Sequence, residues 1–412
     1  MEYAGKVLIF VQNLPVPFDR RVWLESLALT ERGYKVSVIC PTGKHGRFNK
    51  FAEEIDGIHI YRYPAPIEAH GILGYIGEFS YCFFMAFLLS LWVWFRHGID
   101  IVHACNPPET YFVIGAFYKL FNKKFVFDHH DLSPEMYLAK GGRENGILYR
   151  ILLFLEKRTF KTADTVITTN QSHKQIAIER GGLAADNVTI VRSGPDFDRL
   201  QLLEPETELK DGHPYLVCYL GEMCSQDGVD LLLYVADKVR NQFDRKDIKF
   251  VLMGGGPELD YLRSLKSELG LDGIVELTGR VSDEDLCRYL STADLCVDPD
   301  PYTEWSDKST MNKIAEYMAF GKAIVAFELT ENHYTAGDAA LFVEPNDTDK
   351  MAEAIIELIN DDKARQRMGT YGMTRVKEHL AWEYSIPMLY SAYDKVTKPS
   401  SPRTVVYPQT NP

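Results

Sequence analysis

The stretch DKSTMNKIAEYMAFGKAIVAFE, residues 307–328, gathers Lys308, Lys313, Asn312 and Glu316 around the start of a helix-patterned segment. Met311, Ile314, Ala315, Met318 and Ala319 recur at helical spacing, and Glu316 falls among them. A carboxylate on an apolar face is destabilising unless a polar group meets it. Glu316 therefore reads as a binding carboxylate, with an ordinary helix-surface glutamate as the alternative. Lys308 precedes the first amides of the helix, Ser309 to Asn312, an arrangement that suits an anion. Lys313, one turn before Glu316, can add its charge to that anion. The alternative for Lys308 is a solvated loop lysine.

Other candidates close apolar runs. Gly254, Gly255 and Gly256 in MGGGPE end one run and precede a helix, where glycine lets backbone approach a ligand; an ordinary strand-to-helix turn uses the same residues. Arg280, closing ELTGR, is a second candidate anion partner or an exposed structural arginine. In DHHD, residues 128–131, strand alternation sends Asp128 and His130 to one face and His129 and Asp131 to the other. Four-fold chelation would need a break in the strand, so no metal is expected there. DPD at 298–300 matches a metal-binding DxD pattern, but Pro299 and its strand-end position favour a simple terminus. In NLPVPFDRRV, Arg20 and Arg21 sit where a strand meets a helix and either can reach an anion; Asp19 also makes a helix cap. CNPPET, residues 105–110, lines a pocket or only turns the chain.

The elements that must position these residues alternate. KVLIFVQN, KVSVICP, GIHIYRYP, IDIVHAC, KFVFDHHD, DTVITTN and NVTIVRSG are continuous apolar runs separated mostly by helix-patterned stretches such as RRVWLESLALTERG. That pattern predicts a parallel sheet covered on both faces. A polar, acidic pause, LEPETELKDGHP, marks a linker over 198–213. A second series follows: PYLVCYLGE, IKFVLMGGGPE, GIVELTGRV, ADLCVDPD, KAIVAFEL and AALFVEPND. The expected organisation is α/β, two facing Rossmann-like domains over 1–197 and 214–380, a crossover helix over 381–396 and a disordered tail over 397–412.

Bulk properties bound the function. A chain of 412 residues, 46% hydrophobic and 25% charged, is an ordinary folded protein of two or three domains. A net charge of −13 argues against nucleic acid as a partner and leaves small molecules. Seven dispersed cysteines without a CxxC pair indicate neither a zinc knot nor a disulfide framework, so a cytoplasmic setting is expected. The N-terminus lacks the pattern of a signal peptide. FSYCFFMAFLLSLWVWF, residues 79–95, is uncharged and rich in aromatics. It is expected as a helix buried between a sheet and its neighbours; a helix lying on a membrane surface and a membrane span are the alternatives.

In order and spacing, MGGGPELDYLRSL, VELTGRVSDEDLCRYLSTADLCVDP, NKIAEYMAFGKAIVAFE and ALFVEPND resemble the nucleotide-sugar domain of the retaining family 4 glycosyltransferases, which have the GT-B fold. ERGYKVSVIC, IDIVHA, FDHHDL, ADTVITTN and VRSGPD extend the resemblance to the first half. It implies a C-terminal helix packing back on the N-terminal domain. It also implies a nucleotide-diphosphate sugar of UDP or GDP type as co-substrate, no cofactor or metal, and transfer with retention to a glycan or polyprenyl-linked acceptor, as in surface polysaccharide synthesis. Glu316 would hold the ribose, Lys308 with the helix amides the diphosphate, and His130 the donor sugar in the interdomain cleft, with Asp131 orienting it or closing the loop. Arg20, Arg21, Lys313 and Arg280 are further candidates for the diphosphate. The chain departs from the family where an arginine and a lysine are usual: it has Glu222 and Asp227, and Lys308 replaces a glutamate. A nucleotide-sugar epimerase or a non-catalytic nucleotide-sugar-binding protein stays open. The acceptor would be met at the inner face of the plasma membrane if residues 79–95 touch a bilayer.

Overall fold

The computed structural model describes residues 3–43, 48–65 and 71–397. The expected tail lies, from residue 398 on, outside the described residues. Every apolar run named above is a strand. In the first unit these are β1 (Gly5–Phe10), β2 (Tyr34–Pro41), β4 (Ile58–Tyr63), β5 (Ile101–Cys105), β6 (Lys124–His129), β7 (Thr165–Thr168) and β8 (Val188–Ile190). One strand was not legible: β3 (Ala52–Ile55), a short AEEI segment that pairs antiparallel with β4 at the edge. The sheet order is β3-β4-β2-β1-β5-β6-β7-β8, parallel apart from β3. The order reverses between β1 and β5, where Ile9 pairs with Val38 on one side and His103 on the other. Ligand crevices open beyond the carboxyl ends of strands at such a reversal.

The second unit carries β9 (Tyr215–Leu220), β10 (Ile248–Met253), β11 (Val275–Gly279), β12 (Leu295–Asp298), β13 (Ile324–Phe327) and β14 (Ala340–Val343). They form an all-parallel sheet, β11-β10-β9-β12-β13-β14, reversing between β9 and β12. Among the described residues, those up to 131, 151–191 and 386–397 group as one unit, and 132–150 with 192–385 as the other. The N-terminal part of the first unit thus runs to Val191, short of 197, and the stretch 198–213 groups with the second. The reason is Leu200, which is buried in the second core with Ile314, Tyr317 and Met318.

Six helices matter for the sites: α1 (Arg20–Glu31), α2 (Gly71–His97), α3 (Asp283–Thr292), α4 (Glu304–Lys308), α5 (Asn312–Ala319) and α6 (Trp382–Asp394). Asp19 caps α1, its side chain accepting from the Val22 amide, as its position predicts. The end of α6 returns to the first unit: Tyr390 Oη donates to the Ala28 carbonyl at 2.8 Å, and Tyr393 Oη lies 2.8 Å from His103 Nδ1. The expected C-terminal return is therefore present.

The expectation that residues 79–95 are buried between a sheet and its neighbours is corrected. One stripe of α2, Cys82, Ala86, Leu89 and Val93, is buried in the sheet core. The opposite stripe is exposed, with Phe84 at 58%, Trp92 at 49% and Phe95 at 88%. Both faces are apolar, so periodicity could not separate them. Residues 76–97 are long and apolar enough to cross a membrane, by length and composition alone.

Candidate functional site

The second unit concentrates its candidates at the ends of β9, β10, β11 and β12. Backbone bonds lace these ends together: Gly221 N to Met253 O and Met223 N to Gly255 O at 3.0 Å each, with Gly254 N to Gly279 O and Glu258 N to Met223 O at 2.9 Å each. This lacing explains two of the glycines. A Cβ on Gly254 would stand 1.7 Å from Gly221 O, and one on Gly256 2.4 Å from Met223 O. Gly254 and Gly256 are demanded by neighbouring backbone rather than by a ligand. Gly255 differs, because a Cβ there would meet only Arg280, at 3.8 Å, so close approach of a ligand remains open at this one position. Arg280 is exposed beside it.

Helix α5 is fastened to the sheet by Tyr317, whose hydroxyl lies 2.7 Å from Leu220 N and 3.2 Å from Val297 O, at the ends of β9 and β12. Ile314, Ala315, Met318 and Ala319 are buried, while Glu316 keeps 17% of its side chain exposed. The polar group that meets Glu316 is Arg199, which donates through Nη2 to Oε1. Arg199 Nη1 also donates to Asp283 Oδ1 at 3.1 Å, at the start of α3, and the Arg199 carbonyl accepts from Cys287 Sγ at 3.6 Å. Burial acts to lower the Arg199 pKa, yet Glu316 and Asp283 together raise it. Sequence reasoning missed Arg199 because it lies 117 positions away; its only signal was the adjoining apolar Leu200.

Lys313 does not stand ready for an anion. It is buried, with Nζ 2.7 Å from Asp300 Oδ1, 3.1 Å from Asp298 Oδ1 and 4.9 Å from the Tyr219 ring centroid. The two aspartates of DPD thus hold an ammonium. Burial opposes the charge on Lys313, but Asp298 and Asp300 keep its pKa well above the ordinary value. Burial and Asp298 drive the Asp300 carboxyl well above the usual carboxylate range. Burial, with Glu222 adding and Lys313 opposing, pushes Asp227 up to about 6. Lys308 ends α4, about one third exposed, in an ion pair with Glu304 one turn earlier, and Asn312 is exposed at the first position of α5.

In the first unit, strand alternation holds. His129 is buried with its Nε2 3.4 Å from Glu156 and its ring against Phe160, whereas His130 keeps 16% of its side chain exposed. His130 Nδ1 lies 3.1 Å from Asp128 Oδ2, so Asp128 orients the ring. Asp131 serves the loop through its backbone. Asn106 Oδ1 accepts from the His130 and Asp131 amides at 2.9 and 3.1 Å, while its Nδ2 donates to Asp131 O at 2.7 Å and Glu109 Oε1 at 3.0 Å. CNPPET is therefore a clamp for the histidine loop. Arg21 is likewise reassigned: it is buried, donates from Nε and Nη2 to both Asp128 oxygens at 2.8 and 2.7 Å, and from Nη1 to Val191 O at 2.9 Å. Burial works against ionisation of Asp128, but Arg21 and then His130 hold it well below the usual carboxylate range. Burial lowers the His130 pKa and Asp128 more than restores it, so the net shift is upward. Arg20, by contrast, is exposed at the start of α1. His103, Cys105 and Asp128 also bring ligand atoms within 4.8 Å of one another, but the guanidinium of Arg21 already meets both Asp128 oxygens.

Residues 20–199 match the family model described as Glycosyltransferase Family 4, and residues 214–361 match the one described as Glycosyl transferases group 1. A curated relative, the MMP alpha-(1->4)-mannosyltransferase of Mycolicibacterium hassiacum, is 27% identical over 244 residues, 58% of this chain and 56% of that one. The chain spans about half the length of the curated relatives it matches. The fold is that of sucrose-phosphate synthase from Thermosynechococcus elongatus, at 18% identity, a TM-score of 0.75 and coverage of 94% of this chain and 98% of that one. It is also that of Anabaena HepE solved with UDP-glucose, at 16% identity, a TM-score of 0.69 and coverage of 94% and 99%. With two Rossmann-like units, matches in tandem across both and these structural neighbours, the chain belongs to the family 4 glycosyltransferases and has their GT-B fold.

Proposed function

We propose that the chain transfers a sugar, with retention at the anomeric carbon and without a metal, from a UDP- or GDP-sugar to a glycan or polyprenyl-linked acceptor in polysaccharide synthesis. The observation that carries this reading is Glu316: a part-exposed carboxylate on an otherwise buried helix, held by Arg199 and fastened to two strand ends by Tyr317. An ionised carboxylate so placed accepts from both ribose hydroxyls. Lys308, Arg280, Arg20 and the first amides of α5, with Asn312, are the groups assigned to the diphosphate, while Arg21 and Lys313 have structural work. His130 hydrogen-bonds the sugar. The leaving phosphate takes the acceptor proton on the same face, and the protein's part is to hold both substrates and stabilise the leaving charge. The exposed stripe of α2, ending beside Arg96, lies on the cytoplasmic face of a membrane, where an enzyme meets a lipid-linked acceptor.

A thermal-shift panel of nucleotide sugars followed by product analysis tests the reading, since a bound donor stabilises the folded state. His130→Ala should keep the donor's thermal shift and lose most turnover, whereas His129→Ala should lower stability itself. No shift with any donor would overturn the proposal. The acidic loop of Glu222 and Asp227 favours a second reading, a protein that binds nucleotide sugars without cleaving them; donor binding without turnover across a panel of acceptors would support it.

A further inference from the structure

Behind His130 lies a buried array that the chemistry above does not use. Arg21 Nη2 stands 2.7 Å from Asp128 Oδ1 and 3.1 Å from Glu25 Oε1. Glu25 is wholly buried, its Oε2 3.6 Å from His103 Nε2. The groups facing this array come from five places. Asp19, Arg21 and Glu25 belong to α1 and its cap, His103 and Cys105 to β5, and Asp128 and His130 to β6 and its loop. Tyr393 comes from α6, and the Val191 carbonyl follows β8. A guanidinium is always charged, and its paired grip commits Asp128 to the carboxylate form. Burial pushes His103 down to about 4 and lifts Cys105 and Tyr393 well above their usual ranges, so these three stay neutral; Glu25, His130 and Asp19 are left to vary, and the Asp19 side chain is engaged as a helix cap. Glu25 neutral with His130 neutral, and Glu25 ionised with His130 protonated, carry the same net charge. Both groups stand against the same Arg21–Asp128 pair, so a negative charge on Glu25 favours a positive one on His130.

We propose that the protonation of Glu25 and that of His130 are linked through the Arg21–Asp128 pair, so that a residue away from the substrate biases the charge on the histidine that meets the sugar. Glu25 is then a positioning residue for His130, and the proposal rests on the reading of His130 given above. The directions agree: burial and Asp128 push Glu25 up to about 8, and Asp128 more than offsets the effect of burial on His130 and lifts it. An anionic donor beside His130 would favour the imidazolium, and Glu25 could release the proton that His130 takes up.

The test is a pH titration by NMR of the full chain, with the ring nitrogens of His130 assigned through the signal lost in His130→Gln. In Glu25→Gln the midpoint of His130 should fall by about one pH unit, the scale at which two sites titrate as a pair, because the anion favouring the imidazolium is gone. Reciprocally, the carboxyl carbon of Glu25 should titrate at higher pH in His130→Gln, since linkage between two sites acts equally in both directions. An unchanged His130 midpoint in folded Glu25→Gln overturns the proposal. If that variant does not fold, an unchanged Glu25 midpoint in His130→Gln overturns it. Neither titration needs a donor, so failure of the transferase reading leaves this test standing.

Discussion

Replacing Lys313 with methionine should destabilise the second unit rather than disarm a ligand site. The ammonium lies 3.1 Å from Asp298 and 2.7 Å from Asp300, two buried carboxylates, and over the Tyr219 ring at 4.9 Å. Removing one partner of a buried ion pair leaves uncompensated charge and costs about 3–5 kcal/mol. For a domain of this size that corresponds to a fall in Tm of roughly 6–20 °C. The loss should be larger at pH 8 than at pH 5, because without the ammonium Asp300, whose carboxyl burial and Asp298 drive well above the usual range, becomes neutral by taking up a proton as pH falls. Adding Asp300→Asn to Lys313→Met should return part of the stability, since it removes the stranded charge. The assay is thermal and urea unfolding of the four proteins, with the donor's thermal shift measured on each. If Lys313→Met melts like the parent but loses the donor's shift, the structural role is refuted and the lysine belongs to the diphosphate after all.

Arg199→Met should weaken donor binding by about 1–3 kcal/mol, the range for a charged hydrogen-bond partner, with a smaller effect on turnover, and Arg199→Lys should recover part of it. Steady-state kinetics decide this, and a lower donor KM in Arg199→Met would show that the arginine competes with the ribose. Glu25 holds its proton to about pH 8 when folded against an ordinary 4.5. The unfolded chain therefore releases that proton first, and stability should decline as pH rises from 4.5 to 8, at most about 1.4 kcal/mol per pH unit. Glu25→Gln should flatten that slope in urea unfolding; an identical slope would refute the assignment. The exposed stripe of α2 should carry the protein to anionic liposomes in flotation, and replacing Trp92 and Phe95 by glutamate should abolish it. Parent protein that stays at the bottom of the gradient would count against membrane contact.

The sequence by itself determined the two sheets and nearly all their strands, because a strand buried on both faces must be apolar throughout. LIF, VIC, FVLM and IVAF announce that without any partner being known. It also determined which faces certain side chains take: alternation separated His129 from His130, and helical spacing put Glu316 among buried residues. Strand β3 escaped because an edge strand buries too little to show an apolar run. The two faces of α2 escaped because both are apolar, and only the sheet beneath decides which one is covered. Partnership was the larger loss. Arg21 and Lys313 both carry the right chemistry for the roles first suggested, yet a charge becomes a ligand only if no nearer opposite charge takes it. Asp128 takes Arg21 from 107 positions away, and Asp298 and Asp300 take Lys313. Arg199 reaches Glu316 in the same way. Such pairings depend on distances of a few ångströms between residues far apart in the chain, which no local spacing records and only tertiary packing decides.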